Sequence, residues 1–108
     1  WLEYYQIKHI DIVIRQILIE TNYFRSDVCQ NNNNLFGMKL PSRRETTAVG
    51  KRRGYAVYEG WISSIEDFKL WQDNWRVTEE TDYIKLLQRV GYAQDPYYVD
   101  KLKKVQIN

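Results

Sequence analysis

The chain has 108 residues, of which 44% are apolar and 28% charged, and its net charge is +2 at pH 7. This length fits one domain over residues 1–108, the small charge argues against a protein that is basic throughout, and no apolar run is long enough to cross a membrane. Its single cysteine excludes an intrachain disulfide, and one histidine with one cysteine cannot form an ordinary zinc site, so we expect no metal. The chain begins with Trp1, and we therefore expect a fragment of a longer precursor.

The segment from Ile7 to Asn22 is predicted to form the first helix. Ile10, Ile14 and Ile17 recur at helical spacing, and further apolar residues widen this face nearly all round. Its β-branched residues make a strand the competing interpretation, but the length of the segment favours a helix. Residues 21–34 are then predicted to form an irregular connection, because they contain several turn-forming asparagines.

A β-hairpin is predicted over residues 46–58, within a small lobe at about 43–58. β-Branched and aromatic residues flank the stretch "GKRRG" at 50–54, which is predicted to form a basic tip. A second helix is predicted to begin at Ser63, where Ser63 and Glu66 fit the spacing of a capping box.

Two more helices are predicted near the end of the chain. One runs from Glu79 to Val90 with Thr78 as its N-cap and Gly91 just past its end. The last begins at Asp95-Pro96. The chain is therefore expected to have an α+β fold that is mainly α, with one small hairpin.

Aromatic residues make up 15% of the chain. They indicate either a core of large side chains or a cleft lined with rings suited to sugars or bases. Trp71 and Trp75 keep the spacing of a helix face, so they are predicted to lie in the core. Three tyrosines surround the start of the last helix in "GYAQDPYY", and one of them is expected on a cleft wall.

Glu20 lies at the predicted end of the most apolar helix, with no base three or four residues before it. The negative end of the helix dipole and burial would both disfavour its charged form, and a carboxyl kept protonated in this way can act as a general acid. The alternative is a carboxylate that is solvated or paired with Arg25.

The hairpin region carries an excess of positive charge and one acidic residue, Glu45. The bases predict either a contact surface for an anionic polymer or a solvated hairpin tip. Glu45 could face Glu20 across a cleft, which would give the two carboxylates of glycoside hydrolysis.

Four stretches together resemble the bacterial glucosaminidase domain, family 73 of the glycoside hydrolases. They are "ILIETNYFRSD", "NNLFGMK", "YAVYEGWISSIEDF" and "LLQRVGYAQDPYYVDKLKKV". The resemblance covers nearly the whole chain from about Ile7. It implies a lysozyme-like helical domain with a small β-hairpin lobe, which hydrolyses peptidoglycan.

The resemblance also implies roles for individual residues. Glu20 matches the catalytic general acid, and Tyr92 matches a tyrosine that the family places in the active site. Asn34 and Phe36 match the loop expected to shape the sugar site. Tyr58 and Tyr98 are also expected to bind substrate, and Glu45 is the candidate second carboxylate; the site residues are thus Glu20, Asn34, Phe36, Glu45, Tyr58, Tyr92 and Tyr98.

The resulting hypothesis is an endo-β-N-acetylglucosaminidase acting on peptidoglycan glycan strands in the cell envelope. We expect it to need no cofactor, to bind no nucleic acid, to insert into no membrane and to be a monomer. Three alternatives stay open: an N-acetylmuramidase or lytic transglycosylase acting on the same polymer, a non-catalytic glycan-binding module of the cell wall, and a nucleic-acid-binding domain, which rests only on the basic hairpin.

Overall fold

A computed structural model describes residues 1–93 and 95–105 and confirms the α+β fold that is mainly α. In the described residues the elements are α1 (Ile10–Glu20), α2 (Asp27–Asn32), β1 (Gly50–Arg52), β2 (Tyr55–Val57), α3 (Trp61–Asn74), α4 (Tyr83–Arg89) and α5 (Tyr98–Lys104). Within these ranges no helix is both long and apolar enough to span a bilayer.

Helix α1 is shorter than predicted at both ends. His9 adopts a left-handed conformation with φ of 59°, which stops the helix from extending back to Ile7. Beyond Glu20 the chain again turns left-handed, with φ of 48° at Asn22. Since left-handed residues cannot continue a right-handed helix, Glu20 becomes the last helical residue.

Helix α2 lies in the segment predicted to be irregular. The Ser26 hydroxyl caps it by accepting a hydrogen bond from the Cys29 amide at 3.1 Å. Asn33 ends it in the left-handed conformation, with φ of 54°. The prediction for residues 21–34 is therefore wrong in this part, because a well-placed cap stabilises a short helix that composition alone disfavours.

The predicted hairpin is confirmed, but its tip is smaller than expected. β1 and β2 pair antiparallel with Lys51 opposite Ala56. The turn consists of Arg53 and Gly54, which both have positive φ, as a two-residue hairpin turn requires. Gly50 to Arg52 therefore belong to the strand rather than the tip.

Helix α3 begins at Trp61, two residues before the predicted start, and its N-cap Gly60 offers no side chain. Ser64 is buried inside the helix, where its hydroxyl donates to the Trp61 carbonyl at 2.8 Å. The predicted capping box at Ser63 is therefore wrong.

Helix α4 begins at Tyr83 rather than Glu79, because Asp82 caps it by accepting from the Lys85 amide at 3.2 Å. Thr78 instead belongs to a preceding turn, in which its hydroxyl accepts from the Glu80 amide. Gly91 follows the helix with φ of +63°, as predicted.

Helix α5 begins two residues later than the predicted Asp95-Pro96 start. Asp95 accepts a hydrogen bond from the Tyr97 amide at 2.8 Å and so closes a turn just before the helix. Leu102 and Val105 are buried against the core.

The core lies where the helices meet. Its buried aromatic and aliphatic side chains include Phe36, Phe68, Tyr83, Leu86 and Leu102. The rings of Phe36 and Phe68 stack with their centroids 4.0 Å apart.

Asparagines at the end of α2 join the helices to the hairpin lobe. The Asn32 side chain is fully buried and donates to the Arg52 carbonyl at 3.0 Å. The Asn33 amide donates to the Tyr58 carbonyl at 2.9 Å. These asparagine side chains therefore form hydrogen bonds with backbone groups that the short strands leave unpaired.

Asp67 of α3 attaches the other side of the hairpin lobe to the helices. This fully buried carboxylate accepts from Arg44 at 2.7 Å, from Thr46 at 2.7 Å and from the Tyr58 hydroxyl at 2.5 Å. Burial alone would raise the pKa of Asp67, but these three partners outweigh it and lower the pKa. Asp67 is therefore a charged anchor.

We expect Asp67→Ala to lower the free energy of unfolding by about 3 kcal/mol, because it leaves Arg44 and two hydroxyls without their acceptor. Urea unfolding at neutral pH measures this change. Asp73→Ala is the matched control, since Asp73 lies on the same helix but makes only an exposed ion pair with Lys69. Equal stabilities of the two variants would contradict the anchoring role.

Candidate active site

A cleft of about 630 Å³ lies between the helices and the lobe. It is lined by residues from five parts of the chain: the end of α1, the loop at 37–44, β2, α3 and the segment from the end of α4 into α5. Its walls include Glu20, Gly37, Trp71, Tyr92 and Tyr98.

Glu20 reaches the cleft from the last position of α1, where the last turn contains no basic residue. The side chain is half-buried, and burial raises the pKa of its carboxyl, an effect that the nearby Tyr98 hydroxyl partly opposes. No hydrogen bond or salt bridge of normal geometry links the Glu20 carboxyl to the side chains in the described ranges. The site therefore holds an acid that favours its protonated form.

Gly37 lies directly against this carboxyl. A Cβ atom at position 37 would come within 2.7 Å of the Glu20 Oε2 atom, closer than such contacts occur. Gly37 also has φ of +63°, which disfavours any side chain. The backbone can approach Glu20 only because position 37 is glycine.

Asn34 holds this loop in place from beneath. Its amide nitrogen donates to the carbonyls of Met38 at 2.9 Å and Ala56 at 3.0 Å. Its amide oxygen accepts from the backbone of Phe36 and Met38. Asn34 is 1% exposed and does not line the cleft, so the structure gives it a loop-building role, and direct sugar contact stays a prediction.

Phe36 and Tyr58 are likewise buried outside the cleft wall. Phe36 packs on Phe68 in the core, and Tyr58 donates its hydroxyl to Asp67. Each is 1% exposed. The expected substrate contacts of both residues would require rearrangement of the loop or the lobe, and the structure does not bring their side chains to Glu20.

Tyr92 lies on the cleft wall, as expected for an active-site residue. Its hydroxyl donates to the Phe36 carbonyl at 3.0 Å, and its ring meets Trp71 edge to face at 5.3 Å. Burial raises the pKa of Tyr92 well above its ordinary value, so the phenol stays neutral. Tyr92 therefore connects the segment after α4 to the loop that carries Gly37.

Glu45 does not fulfil the predicted pairing with Glu20. Glu45 is exposed and lies outside the cleft lining. Among the described lining residues, Asp95 is the other carboxylate, and it pairs with Lys101. The loop turns Glu45 outward because the adjacent Arg44 and Thr46 both point inward to Asp67.

The basic tip of the hairpin also lies away from the cleft. Arg52 and Arg53 form ion pairs with Asp27 of α2, at 2.8 and 3.4 Å. The bases that do line the cleft include Lys39 and Arg44, which precede the hairpin. The predicted anionic-polymer contact is therefore better placed on these two residues.

Trp71 and Trp75 are both predicted to lie in the core. Trp71 does pack against the core, where its ring stacks on Phe68, but it also lines the cleft, as Trp75 does. Trp75 is 42% exposed. Their spacing of four residues puts them on one face of α3, which is equally expected for a core stripe and for a cleft wall. Only the position of the neighbouring elements distinguishes the two.

Comparison with known proteins agrees with the family that the sequence resembles. A glucosaminidase family model, described as mannosyl-glycoprotein endo-beta-N-acetylglucosaminidase, matches residues 2–107. The chain is also similar to "Protein bax" of Escherichia coli (strain K12), with 34% identity over 67 residues, which are 62% of this chain and 24% of that protein. The match thus spans less than two thirds of that relative. No solved structure matches the chain. Because the family model covers nearly all of the sequence, the chain belongs to the glucosaminidase family of glycoside hydrolases.

Proposed function

We propose that this domain is an endo-β-N-acetylglucosaminidase that cleaves peptidoglycan glycan strands in the bacterial cell envelope. Family membership supports a glycan substrate. The observation that carries the proposal is the Glu20 carboxyl, which lies half-buried in the cleft with a raised pKa and no counter-ion in the described residues.

In this proposal Glu20 is the general acid. It donates its proton to the glycosidic oxygen as the bond to the sugar C1 breaks, and positive charge develops on the ring. Water then adds to C1, directly or after attack by the substrate acetamide, and gives up a proton that restores the acid. The exposed ring of Trp75 supplies a flat apolar surface for a sugar, and the half-buried Trp71 adds to this wall. Lys39 and Arg44 would attract the carboxylates of the peptide stems, although Arg44 is already bound to Asp67.

A lytic transglycosylase is the second candidate, and one observation favours it. Glu20 faces no free second carboxylate among the described cleft residues, because Asp95 is paired and Glu45 lies outside. A single acid suffices if a hydroxyl or the acetamide of the substrate attacks C1. The same arrangement also fits a glucosaminidase assisted by the substrate acetamide.

We expect Glu20→Gln to lower the rate of peptidoglycan digestion by about a hundredfold or more, because the amide cannot donate the proton. Mass spectrometry of borohydride-reduced products measures both the rate and the bond cleaved. Reduced N-acetylglucosamine ends from the wild type support the proposal. Glu45→Gln is the matched control and should remain active, since Glu45 is exposed outside the cleft.

Other products would indicate a different activity. Reduced muramic ends or anhydro-muramic ends would show that the enzyme cleaves the neighbouring bond. Glu20 would still be the acid if these products disappear in the Glu20→Gln variant. A wild type that binds the polymer and releases nothing would instead be a binding module.

The activity should fall as pH rises through the pKa of Glu20, because the general acid acts in its protonated form. Since burial raises this pKa, the basic limb of the kcat profile should lie above the ordinary glutamate value of about 4.3. The profile of kcat against pH with soluble glycan fragments checks this expectation. A basic limb at or below the ordinary value would contradict the assignment.

We expect Gly37→Ala to lower kcat by about 10- to 100-fold, because its methyl group would displace the Glu20 carboxyl. Gly54→Ala is the matched control, since Gly54 also has positive φ but a Cβ there meets no atom within 4 Å. Both variants should lose some thermal stability from backbone strain. Equal activities would show that the approach of Gly37 to Glu20 does not matter.

A further inference from the structure

Two buried polar groups lie beneath Glu20 and have no hydrogen-bond partner in the described residues. They are the Nε2 amide of Gln16 and the hydroxyl of Tyr98. Gln16 is fully buried, and Tyr98 is 6% exposed. Because burying an unsatisfied polar group is unfavourable, each of these two groups requires an explanation.

Gln16 and Glu20 are four residues apart on α1, so their side chains lie on the same face of the helix. Tyr98 is the first residue of α5, which packs against α1, and it lines the cleft together with Glu20. Burial raises the pKa of the Tyr98 hydroxyl most, the charge of Glu20 raises it further, and the Gln16 side chain opposes the shift. The three polar groups therefore form one cluster.

The chemistry of the groups fixes the direction of their hydrogen bonds. The Tyr83 hydroxyl donates to the Gln16 Oε1 atom at 2.9 Å. The Gln16 nitrogen can only donate, and the Tyr98 oxygen is the acceptor beside it. If the Tyr98 oxygen accepts this bond, its own proton is free for the Glu20 carboxylate.

We propose that Tyr98 is a positioning residue for Glu20, with its hydroxyl, oriented by Gln16, donating a hydrogen bond to the Glu20 carboxylate. The chain of donors then runs from Tyr83 through Gln16 and Tyr98 to Glu20. Small rotations of buried side chains complete it when Glu20 is ionised. This role rests on the proposed function of Glu20 as the acid, but the hydrogen bond itself can be tested without activity.

The bond would oppose the effect of burial. Burial favours the protonated acid, which the first step requires, whereas the Tyr98 donor stabilises the carboxylate that the step leaves behind. The other titratable groups that face the same cleft are Lys39, Arg44, Tyr55, Tyr92, Asp95 and Lys101. Arg44 is bound to Asp67 and Lys101 to Asp95, so neither is free to replace Tyr98.

The test follows the titration of Glu20 by NMR in protein with ¹³C-labelled glutamate, using Glu20→Gln to assign the signal. We expect Tyr98→Phe to raise the midpoint by about one pH unit, a tenfold gain in proton affinity, because the carboxylate loses its donor. Gln16→Met should shift the titration midpoint of Glu20 in the same direction. This variant replaces Tyr98→Phe in the test if Tyr98→Phe does not fold. Tyr97→Phe is the matched control, since the neighbouring Tyr97 is 66% exposed.

The kinetic profile gives a second readout. The basic limb of kcat should move upward with the NMR midpoint in Tyr98→Phe, while KM stays within about twofold. An unchanged midpoint in both variants would falsify the inference, and so would a rise in KM alone, which would make Tyr98 a substrate contact. A shifted midpoint in a protein whose Glu20→Gln variant keeps full activity would support the hydrogen bond and reject the proposed function.

Discussion

The amide of Asn34 holds together the loop on which the cleft depends. Its four hydrogen bonds fix the backbone from Phe36 to Met38 and attach it to Ala56 of the lobe. This loop puts the backbone of Gly37 against Glu20 and offers the Phe36 carbonyl to Tyr92. One buried side chain thus links the first helix, the lobe and the segment after α4.

Two carboxyls, the fully buried Asp67 and the half-buried Glu20, show how neighbouring groups determine the protonation state of an acid in this small domain. Asp67 has a guanidinium and two hydroxyls around it, and its pKa is lowered despite burial. Glu20 has no such set of donors, and burial raises its pKa. The first carboxylate holds the structure together, and the second is suited to transferring a proton.

Local patterns in the sequence predicted the helical character, the hairpin and the position of Glu20 at the end of α1. They failed where distant contacts decide the structure. Glu45 faces outward because its neighbours bind Asp67, which lies more than twenty residues away along the chain. A stripe such as Trp71 and Trp75 looks the same in a sequence whether it meets a core or a cleft. Gln16, a polar residue four positions before Glu20 in so apolar a helix, is a local signal in the sequence that indicates a polar environment on that face.

The hairpin has only three residues in each strand, and such a pair is not stable alone in water. Hydrogen bonds from Asn32, Asn34 and Asp67 connect it to residues that are distant in sequence or belong to another element. Closing these long chain segments costs entropy before the contacts can form. The hairpin is therefore stable only while these contacts to α2, the following loop and α3 are in place, so a substitution that removes them also removes one wall of the cleft.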